Sequence, residues 1–387
     1  MLDDGLFVRT QLDDVRPLSA TFNRFVEAVA RTGEFERVRY IVPVRDLRIW
    51  EVEPALGPVD ESALELVPTT FFSGIGDYLL RAGWVAGRNW PLIETALAGS
   101  DLVWLRLPAS NALLALAACR RHRVPYFGWL AGRAEAVARA QPRPGPLKAL
   151  ARVVGASYDA VSELAAVGGP MIRLDGEMFA SVVTADEVEA TRLRPVEARR
   201  DAPWRLVWAG RMAGEKGLPE LIEACRRLRE AGHQLTLVIV GDGPARARVE
   251  RLLTSLPQGA VEDYGYVGDR PTYMGLLRSG DLFVHPSGAE GVPKALVEAM
   301  AAGLPIVATD AGAVADVLGH GERGRLVDPG DAAALAGAIR ELMTDDAERQ
   351  RLRESGLAWA SDHTADAQAR RLVGWLRQQF PAIGWSP

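Results

Sequence analysis

Two glutamates eight residues apart, Glu290 and Glu298, stand in the segment SGAEGVPKALVEAM at residues 287–300. Glu290 follows the apolar run LFVH, which is typical of a buried strand, and Pro293 suits the first turn of a helix that carries Glu298. Backbone N–H groups of residues 291–294 would then face outward at the start of that helix, where an anion such as a diphosphate binds. Carboxylates accept hydrogen bonds from sugar and ribose hydroxyl groups. The segment therefore predicts a site for a nucleotide sugar.

The predicted surroundings of Glu298 and His285 bear on the roles of these two residues. Glu298 lies among apolar residues of the predicted helix, where an unpaired charge would be costly to bury. Either a ligand hydroxyl group or a basic side chain must therefore lie beside it. His285, at the end of the run LFVH, is interpreted as a buried structural histidine rather than as a catalyst.

The segment LVWAGRMAGEKG at residues 206–217 adds two cations after a predicted strand that ends at Gly210. The guanidinium of Arg211 can fork onto phosphate oxygens and the ammonium group of Lys216 supplies a point charge, so together they would neutralise a leaving diphosphate. The chain has only three lysines, so a lysine at this place stands out against a strong preference for arginine.

Two loops with glycines, VGDGP at residues 240–244 and YGYVG at residues 264–268, follow further apolar runs. Glycine lets a backbone come close to a ligand. VGDGPAR has only the first two glycines of the dinucleotide-binding fingerprint, so a dinucleotide site is rejected.

From residue 204 onward, short β-branched runs alternate with amphipathic stretches, as in a parallel sheet covered by helices on both faces. The predicted strands are 206–209, 235–240, 282–285, 305–308 and 325–327, and the predicted helices are 219–231, 244–256, 293–302, 331–343 and 345–360. Since ligands bind beyond the carboxyl ends of such strands, this half is predicted to be a doubly wound ligand-binding domain.

The first half is less regular and is predicted to be a second α/β domain, with a mobile loop at residues 141–146. Its predicted strands are 38–44, 102–107 and 125–129, and its predicted helices are 21–31 and 110–121. The polar, proline-bracketed segment 191–203 predicts a linker. The domains are therefore expected at residues 1–190 and 204–363.

Composition excludes several classes of protein. At 387 residues the chain is about two to three times a common domain, and with 48% apolar and 25% charged residues it should fold. A net charge of −5 argues against a nucleic-acid binder. Cys119 and Cys225 lie in apolar helical patterns, which predicts neither a disulfide nor a thiolate metal site. The acidic first residues and the lack of a long apolar run predict a cytoplasmic protein with no signal peptide or spanning helix.

Taken in order, these segments resemble the retaining GT-B-fold glycosyltransferases of family 4, or glycosyl transferases group 1. The resemblance covers residues 204–342 and rests on AGRMAGEKG, VGDGP, YGYVG, EGVPKALVE and the stretch from AMAAGLPIVATDAG to GRLVDPGD. It implies two Rossmann-like, doubly wound α/β domains facing across a cleft, with the acceptor on the first and the donor on the second. It also implies that a C-terminal helix within residues 364–387 crosses back to the first domain, and that no metal or other cofactor is needed.

The resemblance gives each motif residue a role. Arg211 and Lys216 would bind the donor diphosphate, Glu290 and the backbone of residues 291–294 would hold the donor sugar and phosphate, and Glu298 would hold the ribose. Arg211, Lys216 and Glu290 are the implied catalytic residues. Val267 and Gly268 would adjoin the base. The full set of implied donor-binding residues is Gly210, Arg211, Lys216, Gly241, Asp242, Val267, Gly268, Glu290, Gly291, Val292, Pro293, Lys294 and Glu298.

The first half departs from the family pattern in two places. Where many members have a Gly-Gly loop after the first strand, residues 8–20 read VRTQLDDVRPLSA, and where many have a histidine after a later strand, residues 125–136 read PYFGWLAGRAEA. These departures affect contacts with donor or acceptor more than the class of reaction. The residues expected to contact the acceptor are Asp14, Arg16, Arg133 and Glu135.

Residues 81–152 contain eleven basic residues against three acidic ones, and the segment DYLLRAGWVAGRNW at residues 77–90 adds two tryptophans. Such a composition occurs where peripheral proteins bind anionic lipid. It is consistent with a peripheral contact with the inner face of a membrane. The favoured alternative is that the arginines are solvated and the aromatic residues wall an acceptor cleft.

The resemblance implies retaining transfer of a sugar from a nucleoside diphosphate, with UDP favoured, to an acceptor hydroxyl, forming an α-glycosidic bond. The expected acceptor is a secondary metabolite or a cell-envelope glycan precursor, either a small molecule or lipid-linked. Two alternatives are a sugar-nucleotide epimerase of the same architecture, which would need no acceptor, and a nucleotide-binding scaffold subunit without turnover.

Overall fold

The computed structural model describes residues 1, 7–9, 15–17, 22–46, 59, 62–71, 80–107, 109–130, 145–173, 177–193 and 203–385. The chain divides into two compact units, one formed by Met1–Leu174 with Ala365–Pro387 and the other by Asp175–Thr364. The first unit therefore ends earlier than residue 190, where the sequence analysis placed the end of the first domain.

The described residues of the first unit form a four-stranded sheet of order β2-β1-β3-β4 and a three-stranded sheet of order β5-β6-β7. The strands are Phe7–Arg9 (β1), Val15–Pro17 (β2), Val38–Asp46 (β3), Leu64–Thr70 (β4), Val103–Leu107 (β5), Tyr126–Leu130 (β6) and Met171–Arg173 (β7). The helices are Asn23–Ala30 (α1), Ala82–Leu97 (α2), Ala112–His122 (α3) and Gly145–Gly168 (α4). Within these sheets β1 and β2 pair antiparallel and the other neighbours pair parallel.

The described residues of the second unit form a parallel six-stranded sheet of order β10-β9-β8-β11-β12-β13. The strands are Trp204–Ala209 (β8), Leu235–Val240 (β9), Val261–Asp263 (β10), Leu282–His285 (β11), Ile306–Thr309 (β12) and Arg325–Val327 (β13). The helices are Ala185–Arg192 (α5), Leu218–Glu230 (α6), Arg246–Leu253 (α7), Arg270–Arg278 (α8), Lys294–Ala301 (α9), Val314–Val317 (α10), Ala332–Thr344 (α11) and Asp346–Asp362 (α12). This is the predicted doubly wound topology.

The helix α5 explains why the unit boundary differs from the predicted one. It packs against α9 and α12, both in the second unit. Its N-terminus has a capping box in which Thr184 and Glu187 satisfy each other's backbone N–H groups. The predicted linker at 191–203 overlaps the end of this helix, and residues 194–202 lie outside the described ones.

The last helix, Ala365–Gln379 (α13), belongs to the first unit and packs against α1. Arg377 donates from Nη2 to a carboxylate oxygen of Glu34 at 2.6 Å, beside this contact. In the same unit, the predicted loop at 141–146 differs from the structure at its end, because Gly145 begins α4.

The core of the second unit follows from its strand sequences. The strands β9 (LTLVIV) and β11 (LFVH) are buried along their whole length, as expected for parallel strands covered on both faces. Cys225, under the sheet, and Cys119, in the first unit, are buried free thiols. Burial raises the pKa of each thiol to about 12.

Candidate functional site

The predicted donor-site residues follow the carboxyl ends of neighbouring strands of the six-stranded sheet. Because β8 to β12 are parallel, the segments that follow them lie at one edge. The strand order reverses between β8 and β11, so the segments that follow these two strands border the crevice where α/β proteins bind ligands. These two segments carry Arg211, Lys216 and Glu290.

Glu290 is the most enclosed of these three residues, with 9% of its side chain exposed. Its Oε1 accepts a hydrogen bond from Nζ of Lys216 at 2.6 Å and lies 2.9 Å from Nε2 of His285. Among the described residues, Nδ1 of His285 is buried and has no hydrogen-bond partner. His285 is thus buried, as interpreted from the sequence, but it also contacts the predicted catalytic carboxylate. Its place at the strand end, five residues before Glu290, was the available signal.

Arg211 has different surroundings from Lys216. Its side chain is 57% exposed, and Nη2 lies 3.0 Å from Oε1 of Glu215. Lys216 ends a short 3-10 turn, Gly214–Lys216, whose geometry brings its ammonium group to Glu290. Lys216 and Glu290 meet directly, whereas Arg211 pairs with Glu215 in its own segment.

The acidity of Glu290 follows from these contacts. Burial raises the pKa of its carboxyl group, but the hydrogen bond and charge of His285 and the charge of Lys216 lower it more, to about 2. The ordinary value is 4.5. Since the folded protein holds the ionised form more strongly than the unfolded chain does, Glu290 stabilises the fold above pH 4.5, and this contribution falls as the pH decreases toward 2.

We therefore expect Glu290→Gln to lose less stability on acidification than the parent protein. The free-energy difference between parent and variant should shrink by about 1–2 kcal/mol between about pH 6.5 and about pH 3.5, measured by denaturant unfolding. Glu341→Gln, at an exposed carboxyl group of the same unit, is the matched control. A difference that stays constant with pH would contradict this account of Glu290.

Glycines allow the backbones of neighbouring segments at this edge of the sheet to approach each other closely. Gly217 has φ +65°, and a Cβ there would lie 1.8 Å from the carbonyl oxygen of Pro286. At Gly241, with φ +143°, a Cβ would lie 1.8 Å from the carbonyl oxygen of Gly210. Packing between backbones therefore explains these glycines without a ligand, a reason that the sequence analysis did not consider. Contact of Gly210 and Gly241 with a donor stays a prediction.

Gly312 supports the loop of Glu290 in the same way. Its φ is +62°, and a Cβ would lie 1.9 Å from the carbonyl oxygen of Glu290. We expect Gly312→Ala to lower the free energy of unfolding by at least about 1–2 kcal/mol, the cost of the left-handed conformation alone, before any displacement of the loop. Denaturant unfolding measures it, with Gly337→Ala in α11, where a Cβ meets nothing within 4 Å, as control. Unchanged stability in Gly312→Ala would refute the predicted strain.

Glu298 lies on α9, with a buried carboxylate that has two donors on α8. Nη1 of Arg270 donates to one oxygen, and the hydroxyl of Tyr273 donates to the other at 2.8 Å. A buried carboxylate at this position needs a ligand hydroxyl or a basic partner, and the structure supplies the basic partner, Arg270. Arg270 comes two residues after Gly268, so the segment predicted to adjoin the base lies next to the carboxylate predicted to hold the ribose.

Sequence reasoning missed Arg270 and Tyr273. The signal lay in DRPTY, where Asp269 caps the helix by accepting from the backbone N–H of Thr272, and Pro271 suits its first turn. Residues three apart on a helix share a face, so the start of α8 aims both side chains the same way.

The remaining predicted residues have varied positions. Oδ1 of Asp242 accepts a hydrogen bond from the backbone N–H of Gly243 at 2.7 Å. Residues 291–294 connect the Glu290 loop to α9, which begins at Lys294 after Pro293. Arg16 lies in β2, opposite Val8. The other acceptor candidates, Asp14, Arg133 and Glu135, lie outside the described residues.

In the described ranges, no three His, Cys, Asp or Glu side chains form a group that could hold a metal ion. Likewise, no helix within those ranges combines the length and the apolar character needed to cross a membrane.

A family model matches most of the second unit, and curated relatives match parts of the chain. Residues 189–359 match the family model described as glycosyl transferases group 1. The amylovoran biosynthesis glycosyltransferase AmsK of Erwinia amylovora is 32% identical over an alignment of 197 residues that covers 46% of this chain and 48% of that protein. The phosphatidyl-myo-inositol mannosyltransferase of Mycobacterium leprae is 39% identical over an alignment of 144 residues that covers 36% of this chain and 37% of that protein. The chain thus spans about half, or less, of the length of these relatives.

Solved structures are similar over nearly the whole chain. HepE of Anabaena, solved in complex with UDP, has a TM-score of 0.61 and 17% identity, covering 97% of this chain and 100% of that one. Sucrose-phosphate synthase of Thermosynechococcus elongatus has a TM-score of 0.64 and 18% identity, covering 93% and 92%. At this identity the likeness establishes the fold alone. The chain therefore has the GT-B fold, and its residues 189–359 form a domain of glycosyl transferases group 1, as the order of its motifs predicted.

Proposed function

We propose that this protein is a glycosyltransferase that moves a sugar from a nucleoside diphosphate, with UDP favoured, to an acceptor hydroxyl group. The observation that carries the proposal is the pair of buried carboxylates, Glu290 and Glu298, at the edge of the sheet where the strand order reverses. Glu290 holds Lys216 ready for a phosphate, and Glu298 is fixed beside the segment expected to meet the base. No metal or other cofactor takes part in the proposal.

The proposed chemistry breaks the bond between the anomeric carbon and the diphosphate oxygen, and forms one to the acceptor oxygen on the same face of the sugar. The acceptor proton passes to the leaving diphosphate. Lys216 and Arg211 stabilise the charge that develops on that group, while Glu290 orients the sugar. No carboxylate nucleophile is needed, and the α-linkage of the donor is kept. Retention and the α-linkage rest on the family resemblance.

The proposed acceptor is a secondary metabolite or a cell-envelope glycan precursor, either a small molecule or lipid-linked. The relatives' names support both classes. One is a 2-deoxystreptamine N-acetyl-D-glucosaminyltransferase of Niallia circulans and others are polysaccharide or phosphatidylinositol enzymes. Another relative, from Mycobacterium tuberculosis, is named as dependent on GDP-mannose, so GDP is the second nucleotide to test.

A peripheral contact with the anionic inner face of a membrane is a second part of the proposal. Trp84 on α2 is 52% exposed, with the guanidinium groups of Arg81 and Arg88 over its ring at 5.4 and 5.3 Å. Leu80 beside it is also exposed. We expect the protein to sediment with vesicles containing anionic lipid, less so after Trp84→Ser, and not with neutral vesicles. Equal sedimentation of parent and variant would refute this role of Trp84.

The experiment that tests the transferase is a calorimetric titration with UDP and with GDP, followed by incubation of the matching nucleotide sugars with and without candidate acceptors. A transferase releases nucleoside diphosphate when an acceptor is present. Conversion of the donor sugar with no acceptor would favour the epimerase, and binding without turnover on any acceptor would favour the scaffold. Binding of neither nucleotide would refute the proposed donor site.

A further inference from the structure

Glu298 belongs to a network of charged and hydroxyl groups that joins α5, α8 and α9. Arg270 donates two parallel hydrogen bonds to Glu187, from Nε to Oε1 at 2.6 Å and from Nη2 to Oε2 at 3.0 Å. Its third nitrogen, Nη1, donates to Oε1 of Glu298. The hydroxyl of Tyr273 donates to Oε2 of Glu298 at 2.8 Å, and the guanidinium lies 5.4 Å from the Tyr273 ring. Each oxygen of Glu298 therefore has its own donor.

The network places two carboxylates around one guanidinium in a largely buried position. Burying charges costs desolvation energy, and well-packed apolar residues of similar volume often stabilise a fold as well or better. The stability of the fold therefore does not require these buried charges between α5, α8 and α9. What it supplies is a fixed direction for the carboxylate of Glu298, because bonds to both of its oxygens remove the rotation of the group.

We propose that Arg270, held by Glu187, and Tyr273 are positioning residues that orient Glu298 toward the two adjacent hydroxyl groups of the nucleotide ribose. A carboxylate has about four lone-pair positions, so two donors leave one on each oxygen. Two acceptors at that spacing fit a vicinal diol. This inference rests on the proposed function, because it assigns the ligand of the same site.

The other end of the network is fixed by the backbone of α5. Oε2 of Glu187 also accepts from the backbone N–H of Thr184 at 3.0 Å. Arg278, two turns after Arg270 on α8, donates to the carbonyl oxygen of Glu187 at 2.8 Å and to the hydroxyl of Thr191 at 2.9 Å. Both arginines thus join α5 to α8, and Arg270 adds the contact with Glu298. Arg278 is therefore the matched control for a purely structural effect.

The experiment compares each nucleotide with its 2′,3′-dideoxy form, so that it measures the contribution of the ribose hydroxyls. The probes are UDP, GDP and the dideoxy form of whichever binds the parent. We expect the parent to prefer the normal ribose by about 10- to 100-fold, and Arg270→Gln to reduce that preference about tenfold. Tyr273→Phe should reduce it about threefold, and Arg278→Gln should leave it unchanged.

Each outcome separates the inference from the proposed function. Thermal unfolding checks that the variants fold, and Tyr273→Phe, which removes a single hydroxyl, keeps the test open if Arg270→Gln does not fold. If the parent prefers the normal ribose and both variants keep that preference in full, the inference is overturned while the donor site stands. The same holds if Arg278→Gln loses the preference as Arg270→Gln does. If neither nucleotide binds the parent, the proposed function fails and the inference with it.

Discussion

Glu298→Ala is expected to weaken binding of the nucleoside diphosphate by about 10- to 150-fold, which corresponds to about 1.5–3 kcal/mol. The physical reason is that an ionised carboxylate with fixed orientation makes charge-assisted hydrogen bonds to hydroxyl groups. Because Arg270 keeps its two hydrogen bonds with Glu187, the substitution leaves this guanidinium paired. Calorimetric titration of parent and variant with UDP and GDP measures the effect.

The control for this variant is Glu341→Ala, which removes an exposed carboxylate from α11 of the same unit. It should bind both nucleotides as the parent does. A folded Glu298→Ala protein with parental affinity would remove Glu298 from the ribose site, and Arg270 would then be its structural partner only. The two readings that the sequence left open for Glu298 are thereby separated in one titration.

Much of the second unit could be predicted because its central strands, such as β9 and β11, are buried along their whole length. The predicted bounds of β9, β11 and β13 agree with the structure. For β9 and β11, continuous apolar runs between turn residues mark the ends of the strand. The strand β10 was missed because it has only three residues, VED, and two of them are acidic. Its place beside β9 depends on pairing across the sheet, which a local pattern does not contain.

The first unit was harder to predict for equally physical reasons. The helix α2 contains Pro91 and two glycines, Gly83 and Gly87, so its sequence resembles a loop more than a helix. The strand β4, LELVPTT, contains Pro68 and lies at the edge of its sheet, the position where a strand tolerates proline. Neither feature has a strong local signal, and packing against neighbours decides both.

At the site, sequence spacing predicted which residues lie at the sheet edge but not which of them touch. Lys216 and Glu290 are 74 residues apart, and Arg270 and Glu298 are 28 apart. The sequence shows which residues are cations and which are carboxylates. Which cation contacts which carboxylate depends on where the parallel strands end in the folded sheet. The contacts of His285 and Tyr273 were missed for the same reason.

Lys216→Ala is expected to weaken binding of UDP by about 10- to 150-fold while changing the affinity for UMP little. The ammonium group is 2.6 Å from Oε1 of Glu290, and His285 contacts the same carboxylate oxygen. Lys216 is therefore able to turn toward a phosphate while Glu290 keeps a hydrogen-bond partner. UMP lacks the second phosphate, so it should not report the loss of that contact. Titrations with both nucleotides measure the difference.

Arg248→Ala, at an exposed arginine on α7, is the matched control for loss of one positive charge from the second unit. If it weakened UDP binding as much as Lys216→Ala does, the effect would come from the net charge of the unit and not from a contact with the second phosphate. An equal loss of UDP and UMP affinity in Lys216→Ala would contradict the prediction in another way, because the lysine would then act on the shared part of the ligand. If Glu290 positions the ammonium group of Lys216 to bind the leaving diphosphate, Lys216→Ala should lose affinity for UDP and keep its affinity for UMP.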